Sequence, residues 1–152
     1  MLRLDRKISV LLSYIFCALA FFAVLALGIA LPFFRSDTIP FLANQDRFGA
    51  LAYILEYAIL GLVLLSTACL VLLLNNVRSG AVFTASSVFL LRIISWAAIL
   101  AGVISIPLRF VMDWDVMLWI GFVGLFLGVV LRVVKNVIEE GTAIKEENDG
   151  TI

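Results

Sequence analysis

The chain has 152 residues, 64% of them hydrophobic and 14% charged, with a formal net charge of zero. Its mean hydropathy of +1.17 excludes an ordinary soluble domain, because a small fold leaves too much surface exposed to hide so many apolar groups. There are no histidines, and the two cysteines, Cys17 and Cys69, lie inside apolar runs, so the commonest general base, the commonest metal ligand and any disulfide framework are missing.

The first apolar run, Ile8–Leu31, follows Arg3, Arg6 and Lys7. It is long enough for a full membrane span of about 20 residues, longer than the roughly 7–15 apolar residues of a secretory signal. Cys17 follows Tyr-Ile-Phe, without the small residue a lipoprotein cleavage site needs. The run reads as a retained helix over about 8–32, ending near Pro32. A polar loop, with Asp37, Pro40, Asn44, Gln45 and Asp46, leads to a second helix over 48–75, interrupted only by Glu56. After a hinge around Arg78-Ser-Gly80-Ala-Val-Phe83-Thr84, with Thr84 as an N-cap, a third helix covers 86–111. Asp113, Trp114 and Asp115 turn into a fourth over 115–139, and an acidic tail occupies 140–152.

The expected fold is all-α and integral to the membrane: one domain, four transmembrane helices arranged as two hairpins. With both termini in the cytoplasm, Arg3, Arg6, Lys7, Arg78, Arg92, Arg132, Lys135 and Lys145 lie inside and Arg35, Arg47 and Arg109 outside, as the positive-inside rule requires. Phe33, Phe34, Tyr53, Tyr57, Phe110, Trp114 and Trp119 then fall near the outer ends, where aromatic belts form.

Helices in lipid associate through small residues that let backbones approach. Gly121, Gly124 and Gly128 supply such a stripe on the fourth helix, Ala97, Ala101 and Ser105 one on the third, with Ala98 and Gly102 beside it. The stripe is expected to pack within the chain, with a homo-oligomer through Gly124 and Gly128 as the alternative. Glu56 is the candidate intramembrane polar site. Counting back from Leu74 puts it at the outer headgroup level beside Arg109 or Arg35, which favours an anchoring role. Arg92, Arg132 and Lys135 read as anchors that snorkel to phosphate or meet the acidic tail.

The hinge and the segment Glu140-Gly141-Thr-Ala-Ile144-Lys145-Glu146-Glu147-Asn148 share a pattern: glycine placed as a helix C-cap, then an apolar residue three positions on. On Gly80, Phe83, Thr84 and Arg92, and on Gly141, Ile144, Glu146, Glu147, Asn148, Thr151 and Ile152, the chain resembles the YoaS-like family of small bacterial four-helix membrane proteins, a domain of unknown function. It departs at Val82, where that family usually has proline, and at Gly150, where it has leucine. The resemblance implies no assigned enzymatic activity. It also implies genes that neighbour one for a very small helix-turn-helix regulator of the Cro/repressor type.

The reading that follows is a non-enzymatic, regulatory or scaffolding protein of the bacterial inner membrane. Its candidate partner surface is Gly80, Phe83, Thr84, Arg92, Gly141, Ile144, Glu146 and Glu147, and the partner is a small DNA-binding regulator; the chain itself has no basic excess for nucleic acid. The alternatives are an oligomeric transporter or channel subunit using Glu56, and a protein protecting against membrane-active peptides. No cofactor, metal site or catalytic group is expected, since nothing clusters for acid–base or metal chemistry.

Overall fold

A computed structural model describes residues 6–38, 47–112 and 115–150. Arg3, the loop residues Pro40, Asn44, Gln45 and Asp46, the turn residues Asp113 and Trp114, and the terminal Thr151 and Ile152 lie outside the described residues. Four helices follow one another: α1 (Arg6–Thr38), α2 (Arg47–Arg78), α3 (Ala85–Met112) and α4 (Asp115–Gly150). Each holds a stretch long and apolar enough to cross a membrane: Val10–Pro32, Leu51–Arg78, Ala85–Phe110 and Asp115–Asn148. The chain is a multi-pass membrane protein, and its helical form answers the need to satisfy every backbone polar group without water.

Each helix packs on its neighbours in sequence. The contact of α3 with α4 is the most extensive, that of α2 with α3 the next, and that of α1 with α2 the least. The result is an open bundle, a row in chain order, with α3 the most buried member and α1 the least.

The α3–α4 contact is made by backbone. A Cβ on Gly102 would lie 2.8 Å from the Gly121 carbonyl oxygen and 2.9 Å from the Leu125 nitrogen. One on Gly124 would lie 3.0 Å from the Ala98 carbonyl oxygen, and one on Gly128 2.5 Å from Ile99 Cγ1 and 3.1 Å from the Ser95 carbonyl oxygen. The glycine stripe of α4 is therefore filled by α3 of the same chain. An adjoining face of α3 meets α2: Ala101 and Leu108 pack with Ala52 and Ile59, and Met117 of α4 closes that cluster at its far end. Near the hinge, Cys69 packs with Leu90 and Ile94, against which Leu131 of α4 rests. Between the two clusters α2, α3 and α4 splay into an apolar cleft of about 470 Å³. Its hydroxyls, on Ser66 and Thr67, donate back to the Leu62 and Val63 carbonyls of their own helix.

Two boundaries differ from the sequence-based expectation. α1 does not stop near Pro32 but runs through it to Thr38. Proline lacks the N–H that would bond the carbonyl four residues earlier, which here is Gly28. The Tyr57 hydroxyl of α2 donates to that Gly28 oxygen at 3.0 Å, so the orphaned acceptor is satisfied from outside the helix. At the other end of the same pair, the Tyr14 hydroxyl donates to Asn75 Oδ1 at 3.2 Å. The second difference is α4, which continues past 139 to Gly150 and absorbs the segment expected to be a separate tail.

Tyr57→Phe costs about 0.6 kcal/mol, typical of an interhelical hydrogen bond in lipid, and that cost vanishes in a Pro32→Ala background, where the new N–H serves Gly28. A double-mutant cycle in detergent unfolding measures this; equal costs in both backgrounds refute the account. Gly102→Ala destabilises by about 2 kcal/mol, because backbone atoms cannot yield to the added methyl. Gly61→Ala, with nothing within 4 Å of its Cβ, leaves stability unchanged or raises it by up to about 1 kcal/mol.

Candidate functional site

The polar chemistry of the described chain gathers where α2 turns into α3. Gly80 has φ of 79°, a left-handed conformation that glycine adopts without a Cβ penalty. Around it the Gly80 N–H donates to the Val77 carbonyl at 3.2 Å and the Ala81 N–H to the Asn76 carbonyl at 2.9 Å, the paired bonds of a Schellman C-cap. Four residues on, Thr84 caps α3: the Ser87 N–H donates to its Oγ1 at 3.3 Å, satisfying one free donor of the first turn. Thr84 Oγ1 and Ser87 Oγ both donate to the Ala81 carbonyl at 3.2 Å, and Asn76 Nδ2 donates to Ser87 Oγ at 3.2 Å. Ser87 is fully buried, so this network ties the end of α2 to the start of α3 inside the protein.

The extended end of α4 closes over the hinge. Gly141 was expected to be a second C-cap; it is helical instead, and Gly80 is the glycine with positive φ among the described residues. What Gly141 provides is room. A Cβ there would lie 2.7 Å from Phe83 Cε1 and 2.8 Å from Phe83 Cδ1, so the Phe83 ring rests directly on the helix backbone. Beside it Thr142 is buried and donates to the Ile138 carbonyl at 2.8 Å. Phe83 stays 47% exposed and Ile144 60%, leaving an apolar pair on the outside, with Lys145, Glu146 and Glu147 exposed beyond it. α4 has 36 residues, about 54 Å at 1.5 Å per residue. Hydrocarbon takes about 30 Å of that, so its last turns stand clear of a bilayer.

One layer deeper, charges bridge α3 and α4. Arg92 Nη2 lies 3.4 Å from Glu139 Oε1, and Lys135 Nζ 2.6 Å from Glu139 Oε2. The Arg132 guanidinium lies 4.7 Å from the centroid of the Trp96 ring, within cation–π range. At the opposite end of the pair Arg109 donates to Asp115 Oδ1 from Nε and Nη2, at 3.1 and 2.6 Å, so its partner is Asp115 rather than Glu56. Glu56 is only 4% exposed, on the face of α2 that carries Ala52 and Ile59 toward α3. Counting along the helix could not give that face. Among the described residues, no three of His, Cys, Asp and Glu come together as metal ligands would.

The structure thus brings together Gly80, Phe83, Thr84 and Gly141, places Arg92 one layer below them, leaves Ile144, Glu146 and Glu147 on the outer helix, and sets Glu56 apart. Residues 5–152 match the family described as protein of unknown function (DUF2975). The chain belongs to this family. No curated protein and no solved structure matches it. In this DUF2975 member Asn76, Ser87 and Trp96 join the site without having been singled out by the sequence. The spacing of Thr84 and Ser87 was legible as a cap; the Arg132–Trp96 stack joins two helices and left no local signal.

Gly141→Leu drives Phe83 off α4 and forfeits about half of a phenylalanine burial, roughly 1 kcal/mol. Amide exchange over residues 79–84 then rises about five-fold while exchange in the centres of α3 and α4 is unchanged. Unaltered exchange at the hinge refutes the contact.

Proposed function

We propose that this protein is a non-enzymatic regulatory or scaffolding component of the bacterial inner membrane, crossing it four times as two hairpins with both termini in the cytoplasm. Its partner surface is the hinge together with the emergent end of α4. The observation that supports this reading is the seat of Phe83 on Gly141: two segments far apart in sequence become one surface, with exposed Phe83 and Ile144 beside Glu146 and Glu147. An apolar centre with a charged margin is what a protein partner recognises. The resemblance described above points to a small helix-turn-helix regulator as that partner. The excess of Lys and Arg at this end supports the cytoplasmic orientation.

A second reading, a subunit of an oligomeric transporter, draws on Glu56, since a carboxylate buried between helices is the kind of group that proton or ion relays use.

One preparation tests both. The full chain and a version ending at Glu140, each fused at its C-terminus to a fluorescent protein that matures only in the cytoplasm, are purified from native membranes in mild detergent. Fluorescent cells and a small DNA-binding protein retained by the full chain alone are the expected result. Dark cells overturn the orientation. A lone oligomer from both versions overturns the partner reading, and flux into liposomes that is abolished by Glu56→Gln then carries the second.

A further inference from the structure

On the side of α3 away from the apolar cleft, a second groove of about 270 Å³ runs between α2 and α3. Leu62, Leu65, Ile93, Trp96 and Leu100 line its length, and Arg92 stands at one end. From Arg92 to Leu100 is eight residues, about 12 Å of helix. The groove therefore has the polarity of an amphipath: hydrocarbon along its wall and a guanidinium at its head.

The head of the groove carries more positive charge than its partners neutralise. Of the three cations here, Arg92, Arg132 and Lys135, two pair with the carboxylate of Glu139, Arg92 and Lys135, while Arg132 lies over Trp96. That carboxylate is held closely by Lys135 at 2.6 Å and only loosely by Arg92 at 3.4 Å. Among the described residues Arg132 has no ion-pair partner; it lies over Trp96, itself a wall of the groove. Arg92 is 52% exposed at its side chain, and Nη2 is the donor that Glu139 engages. The α3 span covers 26 residues, Ala85–Phe110, of which about 20 fill the hydrocarbon. Arg92 then sits about four residues, roughly 6 Å, below the boundary, within the reach of a snorkelling guanidinium to lipid phosphate.

We infer that this groove is a binding site for an anionic phospholipid of the surrounding bilayer, its phosphate held by Arg92 and Arg132 and an acyl chain lying along Leu62, Leu65 and Leu100. Basic pockets between transmembrane helices recognise anionic headgroups in this way. A zwitterionic lipid brings its own cation to a head that already has three, and an uncharged hydrophobe brings no anion to Arg132. Arg132 stacked on Trp96 couples the two halves of the site, because the ring that walls the acyl groove also orients the second cation. The site is separate from the Phe83–Gly141 surface and does not depend on the partner reading.

Trp96 is the natural probe. The full chain with Trp114→Phe and Trp119→Phe retains it as sole tryptophan and is reconstituted in phosphatidylcholine vesicles containing either brominated phosphatidylglycerol or brominated phosphatidylcholine. The phosphatidylglycerol is expected to quench Trp96 with a roughly five-fold higher apparent affinity, the scale of two partly screened cation contacts. The preference falls below about two-fold in Arg92→Gln with Arg132→Gln, and is retained in Arg92→Lys with Arg132→Lys. It also survives Arg78→Gln, which removes a cation from the same end but not from the groove. Comparing two lipids within one variant cancels any change in Trp96 emission caused by losing the Arg132 stack. Equal quenching by the two lipids in the parent overturns the site. So does a preference that survives the double glutamine change, or one that Arg78→Gln abolishes equally.

Discussion

The close backbone approach of α3 and α4 is the constraint on which the rest depends. In lipid, leucine gains nothing by leaving hydrocarbon for protein, so dispersion contacts between near-touching helices must supply the association energy. Gly102, Gly121, Gly124 and Gly128 permit that approach, and a methyl on Gly102 or Gly124 would meet main-chain atoms of the partner helix. Once the two helices lie in this register, distant residues align along their whole length. Arg109 meets Asp115 at one end, Trp96 meets Arg132 toward the other, then Arg92 meets Glu139 and finally Phe83 meets Gly141. A shift of one residue along α4 would rotate the glycines off α3 and break every one of these pairs.

Around that contact, the molecule satisfies its backbone polar groups by different local means. The C-terminus of α2 uses a left-handed glycine and paired return bonds, and the N-terminus of α3 uses threonine and a buried serine. α1 uses a side chain from its neighbour: the acceptor released by Pro32 is bonded by Tyr57. α1 has little packing of its own, so the tyrosine bonds at Gly28 and Asn75 weigh more in holding it to α2 than comparable bonds would between α3 and α4.

Polar and charged residues divide between two environments. Toward the hinge, cations, hydroxyls and exposed apolar rings share one end of the bundle, which suits recognition of a headgroup or a protein. Glu56 lies inside, on the α2 face that meets α3. Membership in a family of unknown function leaves the chemistry of these residues as the guide.

Much of this was legible in the amino-acid sequence. Apolar runs set four spans because a helix is the way a single chain segment satisfies its backbone in hydrocarbon, and that requirement acts on each segment alone. Gly80 and Thr84 marked the hinge for the same local reason: left-handed φ and N-capping are properties of a few consecutive residues. The sequence misled where a remote partner decides the outcome. Pro32 reads as a stop until Tyr57 supplies the missing donor, and Gly141 reads as a cap until Phe83 occupies the space its missing Cβ leaves. The face of α2 on which Glu56 lies was not legible either. Only tertiary structure made those choices, because each depends on which side chain a different helix presents at that level, and helical periodicity within one segment carries no record of its neighbour.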